Sequence, residues 1–296
     1  MAVCNGHHST PFIPEVPGIE NFRGEIVHAH WYRTNASFTD KTVLVLGSGA
    51  SAADIGQEIA QVATMIYHST RGAAGNSFQL SQAPNACPIR SHSAIQRVHP
   101  SGAFEMMDGS ILEGIQTLLL CTGYHYDFPF LDSERNKVQL EYKRVLGLFQ
   151  HIFPFNSYHP DWNSSEELTR PSTLAFVGLP WKVAPFPLFD IQARSIAHAW
   201  RTNQLPSSST ILDSQTTEKL HAEAFSLPPH YLHMLGDRQW AYFRSLAGSD
   251  QVKEKLPLLE LLFKATSSLR EKNPHSYKQF ELILSSDPSE IQWQPC

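Results

Sequence analysis

Apolar positions at 55, 59 and 62 fall on one helical face, and Asp54, Gln57, Glu58 and Gln61 take the others. Ahead of them stands "TVLVLGSG" (42–49), an apolar-leaning run closed by two glycines, which reads as a buried strand and a tight turn. "TMIYHS" (64–69) reads as a second short strand, so residues 42–69 are expected to form a strand–helix–strand unit.

Further along, residues 73–88 turn loop-like, and "AIQRVHP" and "AFEMMDGSIL" read as two strands or a hairpin. Asp108-Gly109 is the strongest turn signal in the chain. "IQTLLLCTGY" reads as a short buried strand ending at a glycine, and "STLAFVGLP" as another. "PLFDIQARSIAHAW" is expected to be a helix carrying Leu188, Ile191 or Gln192, Ser195 or Ile196, and Ala199 along one face. Beyond Gln204 a serine-rich linker leads to helical stretches, "TTEKLHAEAF" and "LPLLELLFKA". No internal repeat is visible, and the fold class is α/β.

Composition narrows the classes. At 296 residues, with 42% hydrophobic and 17% charged residues, the chain can bury a sizeable core in about two domains. A net charge of −5, without a block of like charges, argues against a nucleic-acid partner. Cys4, Cys87, Cys121 and Cys296 are scattered and form no C-x-x-C pair, which fits a reducing compartment better than a disulfide or zinc framework. The apolar stretch 172–189 is broken by Lys182 and by prolines, no leader opens the chain, and the C-terminus is polar. The expectation is a soluble, cytoplasmic protein that contacts no membrane. His7, His8, His28 and His30 lack a carboxylate or cysteine cluster to complete a metal site, so none is expected.

The chemistry starts at Gly47-Ser48-Gly49-Ala50-Ser51-Ala52. Gly47 permits the turn, Gly49 lets a pyrophosphate approach the backbone, and a small third residue lets helix and strand pack closely. Amides at the helix start would face the phosphates. A merely structural glycine turn is the alternative. At the end of the second strand, where an NAD or FAD site usually carries Asp or Glu, stand Ser69, Thr70 and Arg71. A guanidinium can pair with a 2′-phosphate, the Ser69 and Thr70 hydroxyls can donate to it, and no acid occurs between Glu58 and Glu105 to repel one. The expected nucleotide is therefore NADPH; a solvated surface arginine is the alternative reading of Arg71. Gly123 permits either a turn or close approach to a cofactor.

"FRGEIVHAHWY" places Phe22, Gly24, His28 and Tyr32 at spacing F-x-G-x-x-x-H-x-x-x-Y. Here the chain resembles the flavin-containing monooxygenases, whose fingerprint has that form just before the NADPH glycine turn. "VCNGHHSTPFIP" is similar to the family's hinge, "LLLCTGYHYDFPFL" to its return strand, "LAFVGLPWKVAPFPLFDIQAR" to the stretch leading onto the flavin ring, and "HMLGDRQWAYF" to its C-terminal region. The resemblance covers residues 3 to about 247 and fits the fungal and plant branch better than the membrane-anchored vertebrate one.

The resemblance implies a Rossmann-like NADP-binding domain inserted in the remainder of an FAD-binding domain, with a helical C-terminal segment. Residues 1–32 would end the FAD segment and form the hinge, 33–112 bind NADPH, 113–204 return to the FAD domain, and 205–296 form the helical region. Thr122, Gly123 and Phe186 join the expected cofactor contacts, and the positive end of the helix after Pro185 would favour reduced, anionic flavin. His28 would position rather than transfer protons. The family's N-terminal FAD glycine motif lies upstream of the segment matching Met1, so a fragment of a full enzyme is the expectation. The implied activity is NADPH- and FAD-dependent oxygenation, through a C4a-hydroperoxyflavin, of nucleophilic nitrogen or sulfur in a small molecule by O2. A Baeyer–Villiger or N-hydroxylating monooxygenase is the second reading, and a truncated, non-catalytic NADPH-binding protein the third. No residue is assigned as catalytic.

Overall fold

The structure is a computed structural model describing residues 1–70, 86–131, 139–141, 144–154, 173–205, 232–247, 251–273, 277–284 and 291–295. The chain forms two compact units: Pro11–Tyr124 with Asn273–Lys278, and Met1–Thr10 with His125–Lys272 and Gln279–Cys296.

The first unit is built on a five-stranded parallel sheet. Its spatial order is Glu25–His28, Thr117–Leu120, Thr42–Leu46, Met65–Ser69 and Ile89–His92. The central strands are apolar at successive positions because both faces are covered. Val43, Val45, Ile66 and Leu119 pack with Ala52 and Ile59 of the helix Ala50–Ile59. Leu44, Leu118 and Leu120 pack on the other face with Val98, Phe104, Met106 and Leu112. These last belong to a small antiparallel meander, Ile95–Val98, Phe104–Met106 and Ile111–Leu112. The strand–turn–helix–strand order read from the hydrophobic pattern is therefore present. The helix stops at Ile59, short of Val62, because the chain tightens there: the Val62 and Ala63 amides both donate to the Ile59 carbonyl. The Asp108-Gly109 turn joins the second and third meander strands, with Gly109 at φ 81°. The first connection closes instead at His99–Gly102.

In the second unit, Ala2–Val3 runs parallel to Ala175–Phe176, and Val3, Tyr126, Phe128, Val145 and Phe176 form part of its core. The helix Pro185–Thr202 buries Leu188, Ile191, Gln192, Ile196 and Ala199, which is the face the spacing predicted. It ends on Asn203 in the left-handed conformation, a residue that tolerates such a cap. Gln239–Leu246 and Gln251–Lys272 are the other long helices described, and the latter contains "LPLLELLFKA". "TTEKLHAEAF" lies outside the described residues. The region past 205 also holds a hairpin, Phe280–Leu284 with Ile291–Pro295, which the sequence reading missed. Among the described residues no helix is long and apolar enough to cross a membrane.

Candidate functional site

The glycine turn lies at the carboxyl end of the Thr42–Leu46 strand, where parallel sheets commonly place ligands. Gly47 sits at φ 127°, and a Cβ there would lie 2.3 Å from the Cys121 carbonyl oxygen. Only glycine fits. Its amide donates to the Ser69 carbonyl at 3.1 Å, so the turn is tied to the neighbouring strand. Gly49 has ordinary extended backbone, and a Cβ on it would meet nothing within 4 Å. It is the N-cap of the Ala50–Ile59 helix, and no side chain caps the amides there. Ser48, Gly49, Ala50 and Ser51 are exposed while Ala52 is buried against the sheet. Open space, free approach to backbone and uncapped helix amides together make a place for an anion. These residues fit the pyrophosphate of a dinucleotide.

At the end of the adjoining strand, Ser69 is fully buried and its hydroxyl donates to the Ser93 carbonyl at 2.8 Å. Thr70 is 5% exposed, and its amide donates to the His92 carbonyl. Arg71 lies outside the described residues.

The four fingerprint residues all act on this sheet. Phe22 is buried with its ring edge-on to Phe104 at 5.0 Å. Gly24 lets its strand approach the neighbouring backbone, since a Cβ there would lie 2.4 Å from the Gln116 carbonyl oxygen. His28 is 1% exposed; its Nδ1 accepts from the His30 amide at 3.0 Å, which leaves Nε2 to donate to the Gly123 carbonyl at 3.1 Å. That carbonyl also accepts from the Phe12 amide. Tyr32 donates to the Glu58 carboxylate at 2.8 Å, joining the fingerprint to the glycine-turn helix; desolvation and then Glu58 raise its pKa. Thr122 donates its hydroxyl to the Phe12 carbonyl, and Gly123 sits at φ 82°.

In the other unit, the Pro185 helix likewise has no side-chain cap at its start, and Phe186 is 81% exposed there. The Gln239 side chain accepts from the Ala184 amide just before it. Among the described residues no group of three or more His, Cys, Asp or Glu is placed to hold a metal.

Two histidine features escaped the sequence reading. His68 is 1% exposed, and its Nε2 meets the Gly47 carbonyl at 2.7 Å; burial lowers its pKa, partly opposed by that bond. His151 and His233, both buried, bring their Nδ1 atoms to 2.9 Å. The Val145 amide donates to His233 Nε2, so His233 carries its proton on Nδ1 and donates to His151. Burial pushes His151 down to about 4 and His233 well below its usual value. Burial also pushes the Cys121 thiol up to about 12, which makes it an inert thiol.

A parallel sheet with a bare glycine turn, preceded by the Phe22–Tyr32 fingerprint, is the arrangement the sequence resemblance implied, and the comparisons agree. The model of the family described as "FMO-like: Flavin-binding monooxygenase-like" matches residues 1–85 and 86–265. The chain belongs to that family, whose cofactors are FAD and NADPH.

Among its relatives is flavin-containing monooxygenase FMO GS-OX-like 3 of Arabidopsis thaliana, 31% identical over 279 residues, covering 94% of this chain and 58% of that protein. FMO GS-OX-like 7 of the same plant is 34% identical over 251 residues, covering 83% and 50%. The solved S-allyl-L-cysteine S-oxygenase of Allium sativum superposes with a TM-score of 0.74 at 30% identity, covering 94% of this chain and 60% of that one. Tmm of Pelagibacter sp. strain HTCC7211 shares the fold, with a TM-score of 0.71 at 23% identity. The chain thus spans between 50% and 58% of the length of these two curated relatives.

Proposed function

We propose that this chain supplies the NADPH-binding part, and the flavin-facing segments, of a monooxygenase that transfers oxygen from O2 to a nucleophilic sulfur or nitrogen of a small molecule. The observation that carries the reading is the uncapped, glycine-lined turn at Gly47–Ala52 in a chain of this family. In this reading the backbone amides of 49–52 bind the pyrophosphate. Thr70 and Arg71 contact the 2′-phosphate, and Ser69 fixes the strand end from inside. His28 holds the Gly123 backbone in place, and Thr122 secures the same segment. The open start of the Pro185 helix, with exposed Phe186 beside it, would serve a bound flavin by favouring the reduced, anionic ring through the helix dipole.

When bound, FAD would supply the redox chemistry, passing two electrons from NADPH to O2 so that one oxygen atom goes to the substrate and the other leaves as water; the protein's part is position, dryness and charge. Oxygen transfer to sulfur needs no general base, so the reading requires no triad. Sulfur is favoured by the likeness to an S-oxygenase that acts on S-allyl-L-cysteine. The test is an absorbance spectrum of the chain after incubation with FAD and removal of free flavin. Bleaching by NADPH and recovery in air are expected; a colourless chain would overturn flavin binding by these residues.

A further inference from the structure

We propose that His68 is a positioning residue that sets the preference for NADPH over NADH by clamping the Gly47 turn to the strand end that precedes Arg71. The inference rests on the nucleotide site proposed above. It starts from what holds Gly47. On one side the Cys121 carbonyl fills the space a Cβ would take, and Cys121 in turn donates its amide to the Leu46 carbonyl. On the other, the Met65–Ser69 strand grips both backbone groups of Gly47. The Ser69 carbonyl accepts from its amide at 3.1 Å, and His68 Nε2–H donates to its carbonyl at 2.7 Å.

Only the second of these grips is a side chain, so only it can be removed without rebuilding the backbone. His68 projects to the helix-covered face with Ile66, whereas Tyr67 and Ser69 project to the meander face, because strand side chains alternate. His68 therefore donates to the turn from the neighbouring strand and fixes the spacing between two anchors: the amides proposed to take the pyrophosphate and the strand end at Ser69 and Thr70, proposed to lie beside the 2′-phosphate.

NADPH bridges both anchors, whereas NADH uses the turn without the 2′-phosphate contacts. Loosening the spacing should therefore cost NADPH more than NADH. A ligand held at two points is bound tightly only when the points are preorganised at its own spacing. A general loss of stability would weaken both nucleotides alike and leave their ratio where it was.

The experiment measures dissociation constants for NADPH and NADH by fluorescence titration of the purified full chain. Each variant's melting temperature is recorded beside them. His68→Leu removes the donor; His68→Gln restores an amide N–H at the reach of Nε2; His68→Asn keeps an amide that falls short. Removing one buried hydrogen bond of this kind should weaken NADPH by about tenfold. NADH should weaken by less than about threefold, and His68→Gln should recover most of the preference. If His68→Leu does not fold, the Asn and Gln pair decides: Asn should lose the preference and Gln should keep it. An unchanged NADPH-to-NADH ratio in folded His68→Leu or His68→Asn overturns the inference while leaving the nucleotide site standing. Failure of the unaltered chain to bind either nucleotide overturns the site itself.

Discussion

Gly47 and Gly49 stand two residues apart, yet a methyl group added at each should have opposite effects. At Gly47 it would meet the Cys121 carbonyl oxygen at 2.3 Å and the carbonyl carbon at 2.8 Å, on a backbone at φ 127°. That conformation costs a side-chain-bearing residue about 1–3 kcal/mol. The overlap adds about 1–3 kcal/mol more, because the atom struck is backbone that itself donates to Leu46 and cannot simply rotate away. Gly47→Ala should therefore lose about 2–6 kcal/mol, a large share of the 5–15 kcal/mol typical of a domain.

At Gly49 the backbone is ordinary and nothing lies within 4 Å. A poorer N-cap offsets the lost flexibility of the unfolded chain, so Gly49→Ala should stay within about 1 kcal/mol of the parent. The same methyl would occupy the space through which a pyrophosphate reaches the amides, so NADPH affinity should fall by at least about tenfold. Urea unfolding followed by tryptophan fluorescence gives the stabilities, and NADPH titration gives the affinities. Parent-like NADPH binding by Gly49→Ala would refute the assignment of the turn to phosphate. A stable Gly47→Ala would refute the packing argument.

Other outcomes follow from the same geometry. Gly24→Ala should destabilise by about 2–4 kcal/mol in urea unfolding, because its Cβ would press on both the Gln116 carbonyl and the Phe22 ring. Acid should weaken the fold through His151 and His233. Both are held neutral below their usual pKa, so unfolded chain binds more protons and stability is lost as pH falls from about 6.5 towards 4. For His151 the difference between about 4 and the ordinary 6.5 corresponds to about 3 kcal/mol, and His151→Phe should flatten the pH dependence of urea midpoints. An unaltered slope in that variant would contradict the buried-pair explanation.

The strand–turn–helix at 42–59 was legible because its signals are local: a doubly covered strand is apolar throughout, and glycine spacing marks where backbone must come close. The fingerprint was legible only as a resemblance. Its physical content, a ring in the core at Phe22, a close crossing at Gly24, a carbonyl held by His28 and a helix tied by Tyr32, needs partners up to 95 residues away. His68 was invisible for the same reason, since nothing in "MIYHS" says whose carbonyl the imidazole will meet. The turn at Gln150–His151 has positive φ at both residues but neither Gly nor Asn to announce it; the Tyr242 hydroxyl bonded to the Gln150 carbonyl helps hold it. The C-terminal hairpin was missed because its second strand, "IQWQP", alternates within a polar stretch that reads as a tail.

The central claim is that a 2′-phosphorylated nicotinamide nucleotide lies across the Gly47 turn and that Arg71 selects it. Dissociation constants for NADPH and NADH, measured on the parent chain and on Arg71→Glu, test it most directly. The account predicts that the parent prefers NADPH and that charge reversal weakens NADPH by more than about tenfold beyond any change in NADH. Equal losses for the two nucleotides, or a parent chain indifferent between them, would contradict it.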